Sequence, residues 1–249
     1  MKWIVFLAIL VFIARSFLKT LSSGRLLKIQ RLHLGAAPAF DPGLVDCYVR
    51  FQGRVESPNA FDTPLRRRAC VFFQSRVFAE WQTKEKKPKK GLANHRKTLY
   101  RQESPAQPIK LANTLGEVYV DYSLLAVEKG AANRLNQAKV KSFICPEVCR
   151  DQADAKYKTY VATEQWLKQG DAVTIFGKLV KQADGQLRLI SPGHAHFPDV
   201  VLVDSAYKGA GAKGLLAEAD QKIASRKRQL VVLSVFFMVA VVLSITVLI

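Results

Sequence analysis

Residues 69–81 read ACVFFQSRVFAEW. Val and Phe crowd this stretch, and β-branched and aromatic side chains suit the pleated, half-buried surface of a sheet better than a helix. A long strand is predicted. Upstream, residues 47–55 (CYVRFQGRV) alternate Val49, Phe51, Gly53 and Val55 with Arg50, Gln52 and Arg54. A period of two sends one set of side chains to a core and the other to water, so this is a second, half-buried strand. Gly53 within it predicts a bulge or tight bend. The turn chemistry of PNAFDTPL between the two runs allows them to pair antiparallel.

The same reading extends downstream. PIKLANTLGEVYVDYS offers a short strand, a turn at Asn113 to Gly116, and a strand with Val118 and Val120 on one face. From Leu124 to Lys156 the pattern shifts to Ala, Asn, Gln and Lys, which predicts a helical insertion broken at Pro146. Strands resume at Tyr157 to Ala162, followed by a helical turn at Glu164 to Lys168. Further strands are expected at Ala172 to Val180, Leu187 to Ile190 and Val200 to Val203, with a turn at Asp184-Gly185. Roughly seven short strands with glycine turns predict a mainly β domain over 47–205, either a small barrel like the oligonucleotide/oligosaccharide-binding (OB) fold or a sandwich.

Both ends of the chain are apolar. From Gln229 to Ile249 there are 21 residues without a charge, roughly 30 Å of helix and the thickness of a bilayer core. Residues 229–249 are therefore expected to be a transmembrane helix. The run from Trp3 to Ala14 is shorter, and spans only if extended to Leu21 with Arg15 and Lys19 reaching back to the headgroups. An uncleaved anchor over 1–21 is expected rather than a cleaved signal. Arg15, Lys19, Arg25, Lys28 and Arg31 follow the apolar run Trp3 to Ala14, while Lys222, Arg226, Lys227 and Arg228 precede the last segment. By the positive-inside rule both flanks are cytoplasmic, with both termini outside. Residues 22–46 form a juxtamembrane linker. Residues 206–228 form a hinge at Gly209, Gly211 and Gly214, followed by a basic helix.

The chain carries 38 Lys and Arg against 20 Asp and Glu, a formal net charge of +18. Such a balance points to an anionic partner, and for a domain tethered to a membrane the headgroups of anionic lipids are nearest, ahead of nucleic acid. The densest run, Lys84 to Arg101, is read as a loop between two strands. Its Lys84, Lys86, Lys87, Lys89, Lys90, Arg96 and Lys97, with Arg226, Lys227 and Arg228, are the candidate contacts with an anionic surface.

Catalytic chemistry is not legible. Walker, dinucleotide-binding, zincin and nucleophile-elbow patterns do not occur. Cys145-Pro146-Glu147-Val148-Cys149 with His194 and His196 supplies zinc-ligand types, but alternate strand residues point to opposite faces, so no metal and no cofactor are expected. No cysteine has a recognisable base partner; Cys47, Cys70, Cys145 and Cys149 are expected to be free thiols in a reducing compartment. Tyr48, Phe51, Phe72, Phe73, Phe78 and Tyr119 could stack on bases, which would make single-stranded nucleic-acid binding a third reading, but such residues more often fill a core.

The order VRFQGRVES, RRRACVFFQSRVFAEW, a basic loop, PIKLANTLGEVYVD and YVATEQWLKQGDAVTIFGKLVKQADGQL, set between two apolar segments, resembles the GIDE domain, a beside-a-membrane module. The resemblance covers about Tyr48 to Ser205. It rests mainly on the Gly-x-Val strand followed by the Cys-Val-Phe-Phe strand, the turn-Gly-x-Val-x-Val-Asp unit ending at Asp121 and the Leu-x-x-Gly-Asp-x-Val-x-x-x-Gly unit from Leu167 to Gly177, with Asn113 where the family often has Asp. Known relatives include mitochondrial outer-membrane E3 ubiquitin ligases with a zinc-binding RING after the second helix. The resemblance implies a ligase-like alternative function. Four scattered cysteines cannot supply the roughly eight ligands of a RING, so ligase activity is not expected. The expectation is a non-catalytic module, similar to prokaryotic relatives in an inner membrane, that senses or recruits a partner there.

Overall fold

A computed structural model describes residues 2–84, 92–125, 135–193, 196–198, 200–203 and 212–248; of these, 2–10, 82–84, 92–94, 123, 212–213 and 240–248 are described by their backbone alone. The chain divides into two compact units. One comprises the two terminal helices with residues 193–198; the other runs from Pro38 to Pro192 and from Asp199 to Lys208.

The second unit is mainly β. Its strands are β1 (Tyr48–Val55), β2 (Phe61–Asp62), β3 (Ala69–Cys70), β4 (Phe72–Lys84), β5 (Leu92–Glu103), β6 (Ile109–Asn113), β7 (Gly116–Val120), β8 (Asn136–Ser142), β9 (Thr159–Leu167), β10 (Ala172–Lys181), β11 (Leu187–Ile190) and β12 (Val200–Val203). One sheet has the order β1-β6-β7-β11-β10-β12, and β1 also pairs with β10. The five strands β1, β6, β7, β11 and β10 thus close into a small barrel, which removes their free edges. All its pairings are antiparallel except β7 with β11. The strand β12 lies on β10 beyond the end of β11.

The alternation read from residues 48–55 becomes the barrel's inside. Val49, Phe51 and Val55 are buried with Ile109, Leu111, Val118, Val120, Val173, Ile175, Leu179 and Leu189. Phe40, ahead of β1, joins this core, its N–H donating to the Arg50 carbonyl at 2.9 Å. Gly53 sits at no bulge, since β1 keeps unbroken register with β10 from Tyr48 to Arg54. Its reason is room: a Cβ there would overlap the Ala112 carbonyl and the Phe51 ring, just where β1 begins to pair with β6.

A second, antiparallel sheet has the order β5-β4-β9-β8, built from the segments that interrupt the barrel strands. The long strand predicted at 69–81 is its centre, although the backbone breaks at Val71 between β3 and β4. Two sequence expectations fail here. The described part of 124–156 is not a helical insertion: a helix, α2 (Tyr122–Leu125), and a 3-10 turn (Glu147–Gln152) flank the strand β8. Glu164 to Lys168 is not a helical turn either, because β9 runs through to Leu167. Tertiary pairing overrides propensity in both, with β8 in register on β9 from Asn136↔Trp166 to Ser142↔Tyr160.

The first unit holds α1 (Lys2–Ala36) and α3 (Ala212–Leu248). The helix α1 continues without a break through the first part of the expected linker. Gly214 lies inside α3 rather than in a hinge; Gly209 and Gly211 lie outside the described residues. Among the described residues no helix is long and apolar enough to cross a membrane. The apolar runs of the sequence extend into 2–10 and 240–249, where side chains are not described.

Candidate anionic-surface contacts

The terminal helices meet antiparallel in a definite register. A Cβ placed on Gly35 would lie 3.9 Å from Leu216 Cδ2, and one on Gly24 would lie 3.9 Å from Arg226 Cβ. Between them Arg31 donates from Nε to Asp220 Oδ1 at 2.9 Å and from Nη2 to Oδ2 at 3.2 Å. The guanidinium holds the Asp220 carboxyl below the usual carboxylate range, chiefly through these hydrogen bonds. From Gly24 to Gly35, position i of α1 therefore lies level with about 250 − i of α3; continued to the helix ends, the same register would set residues 2–21 beside 229–248. Arg226, Lys227 and Arg228 come level with Ser22 to Gly24, one turn from Lys19 and next to Arg25. A groove of about 770 Å³ on α1 is lined by Arg15, Lys19, Arg25 and His196, with Leu18, Leu21, Leu26 and Ile29 as its apolar wall.

In the β unit the expected basic loop is divided. The strands β4 and β5 extend to Lys84 and from Leu92, so Arg96 and Lys97 are strand residues rather than loop residues. Being adjacent in a strand, they point to opposite faces. Arg96 lies over the Phe78 ring at 3.7 Å and 3.6 Å from Glu80; Lys97 pairs in register with Ala79 on the other face. Lys84 is described by backbone alone, and Lys86, Lys87, Lys89 and Lys90 lie outside the described residues.

The face of the second sheet that carries Arg96 also carries Arg76, Arg101, Lys139 and Lys141, opposed by Glu80 and Glu103. Glu103 is tied up by its own neighbours. Arg101 Nη2 donates to its Oε1 at 2.7 Å and Tyr122 Oη to its Oε2 at 2.8 Å. Burial pushes this carboxyl up, but those bonds and the charges of Arg101 and Arg76 outweigh it and hold it below its ordinary value. Burial, with the bond to Glu103, pushes the Tyr122 hydroxyl up to about 12.

At the end of this sheet a cavity of about 570 Å³ is lined by Arg96, Lys141, Lys158, His95, Trp81, Thr159 and Glu80. Lys141 was missed as a site residue because 124–156 reads as helical, which hides that β8 lays Lys139 and Lys141 beside β9; Lys158 was missed because it lies away in sequence from the dense basic run. The signal was present in the sequence as the alternation of Lys139, Val140 and Lys141.

The opposite face is covered. Val77, Ala79, Leu99, Tyr157 and Tyr160 pack with Cys145, Val148 and Cys149 of the 3-10 segment. The Cys145 and Cys149 sulfurs lie 3.5 Å apart as free thiols. Burial, then the proximity of Cys145, pushes Cys149 up to about 12, and burial with Asp62 and Glu164 pushes Cys70 up to about 11. Such thiols stay protonated and are poor nucleophiles. His194 lies outside the described residues, and among the described residues no three of His, Cys, Asp and Glu stand together as metal ligands.

The remaining motif residues are structural. In the 167–177 unit, Leu167 and Val173 fill the barrel core and Gly170 takes φ +81° in the turn. The buried Asp171 carboxylate accepts from Lys168 N–H at 3.0 Å and from Asn136 Nδ2 at 2.7 Å. Asn113 Oδ1 likewise accepts from Leu115 and Gly116 N–H, closing its turn. Phe51, Phe72 and Phe73 are buried, so these rings of the base-stacking reading are core. No family model, no curated protein and no solved structure matches this chain.

Proposed function

We propose that the chain is a non-catalytic β-module anchored by its two terminal helices, with the β unit on the cytoplasmic face and both termini outside, recruiting or sensing a partner at an anionic membrane surface. The observation that carries this reading is the helix register. It lays the uncharged run of α3 beside the apolar run of α1 and brings Arg226 to Arg228 level with the Lys19 to Arg25 segment. Two apolar ends in one layer with cations at one edge are what a hairpin needs to cross a bilayer and stop at its headgroups. The closed five-strand order with its single parallel pair supports the OB-like form of the module, and the resemblance to the GIDE domain belongs to the same proposal. Nothing in the site favours ubiquitin transfer.

Topology is the test. Single cysteines at Lys86 and Asp204 in a cysteine-free background are challenged in intact cells with a membrane-impermeant maleimide. Protection at both until the membrane is permeabilised supports the reading. Labelling at both in intact cells places the β unit outside and sinks it, and a chain extracted from membranes by carbonate removes the anchors altogether.

A further inference from the structure

Between β8 and the 3-10 turn the chain sends two large apolar side chains outward. Phe143 is 83% and Ile144 79% exposed, whereas the next residue, Cys145, turns in toward Cys149 and Val148. The turn is held: Ile144 N–H donates to Ser142 Oγ at 3.0 Å, and Cys145 Sγ donates to the Cys149 carbonyl at 3.4 Å. Single exposed apolar residues are ordinary, but a fixed adjacent pair that covers no core marks a contact site. Continuing the β8–β9 register past Ser142↔Tyr160 sets residue 143 opposite Thr159 and, two steps on, residue 144 opposite Lys158. The tip therefore adjoins the cavity of Arg96, Lys141 and Lys158, where Glu80, the one carboxylate lining it among the described residues, faces Arg96.

We propose that this tip and cavity dock the β unit on anionic phospholipid: Phe143 and Ile144 enter the boundary between headgroups and acyl chains, and lipid phosphates lie among Arg96, Lys141 and Lys158. The inference rests on the membrane-anchored reading above. A two-residue tip is far below the ~1,000 Å² that a specific protein interface buries. A bilayer accepts a tip of any shape and offers apolar depth beneath negative charge, the same order of groups that the tip and cavity present.

The experiment uses the full chain in nanodiscs, with the photoreactive Phe143→p-benzoylphenylalanine and, separately, Phe236→p-benzoylphenylalanine on α3 as a probe of anchoring. Slow labelling of buried Cys70 by maleimide verifies that each variant is folded. Phosphatidylglycerol adducts are expected at both positions. Arg96→Gln/Lys141→Gln/Lys158→Gln should weaken docking on the order of a hundredfold, at roughly a factor of five per cation, and abolish the adduct at 143 alone. Pure phosphatidylcholine should do the same. Adducts at 236 but none at 143 overturn the docking and leave the anchoring standing; none at either overturns both. Adducts at 143 that survive loss of the three cations overturn the phosphate site, and adducts to protein or to added single-stranded DNA in place of lipid overturn the choice of partner.

Discussion

A disulfide between Gly24→Cys and Arg226→Cys tests the register on which the anchored reading depends. A Cβ on Gly24 would lie 3.9 Å from that of Arg226, inside the ~3.5–4.5 Å that a disulfide spans between Cβ atoms. The bridge would close a loop of about 200 residues, for which loop-closure entropy gives about 5 kcal/mol as an upper figure, against ~2–4 for typical disulfides. At ~2–4 °C per kcal/mol for a chain of this size, the oxidised form should melt about 10 °C above the reduced one. The assay is mild oxidation of the full chain in detergent with Cys47→Ser to remove the exposed native thiol, a non-reducing gel, and melting with and without reductant. A shifted pair, Gly24→Cys with Lys222→Cys, is the control: four residues move the partner about 6 Å along the axis and out of reach. Near-complete oxidation of the first pair and little of the second is expected. Equal oxidation of both, or none of the first, would refute the 250 − i alignment and with it the argument that the two apolar ends share one layer.

Two further outcomes follow from the β unit. Gly53→Ala should destabilise it by about 3 kcal/mol, the upper range for overpacking a core, because the new methyl meets a strand carbonyl as well as the Phe51 ring. Gly185→Ala, with φ +84° but open space around it, should cost only about 1 kcal/mol. Maleimide labelling of Cys70 then accelerates about a hundredfold in the first variant and about fivefold in the second, and a reversed order would contradict the close-approach account. Glu103 contributes to acid stability. Its folded-state pKa is lowered, so its contribution is full above the unfolded value of about 4.3 and is lost as pH falls through the folded one. Tyr122→Phe removes one hydrogen bond to the carboxylate, costs about 1 kcal/mol at neutral pH, and flattens the acid limb of urea midpoints against pH. An unchanged limb would show that Arg101 and Arg76 alone set the shift.

The barrel was legible where burial imposes a period of two. Val49, Phe51 and Val55, or Val118 and Val120, announce an inner face because every second residue meets the same core. The second sheet was only half legible. Residues 72–81 carry enough Val and Phe to declare β4, but β8 reads NQAKVKS, with one strong strand former. It is a strand because β9 offers it an edge, and that edge is settled by partners distant in sequence. The candidate site inherited the error. The cations concentrated in sequence at 84–97 are split between the end of β4, two faces of β5 and a segment outside the described residues. The cations that share a cavity come from β5, β8 and the residue just ahead of β9.

The difference between concentrated and converging charge decides how the molecule can work. A run of lysines adds roughly 1 kcal/mol each near a negative leaflet, wherever it lies on the chain, and gives no orientation. Cations fixed on two strands and just ahead of a third, beside an apolar tip, define one pose. A tip of two side chains would hold a freely diffusing domain only weakly, since even a fourteen-carbon acyl chain gives marginal membrane binding. On the proposed anchored reading, attachment through α1 and α3 would change that balance, because docking would become an intramolecular step at an effective concentration in the millimolar range. Under that tether a contact of modest strength is enough to set the docked fraction, and it stays weak enough for leaflet charge, or a competing partner on the same face, to shift it. On this reasoning the helices supply residence and the second sheet supplies response.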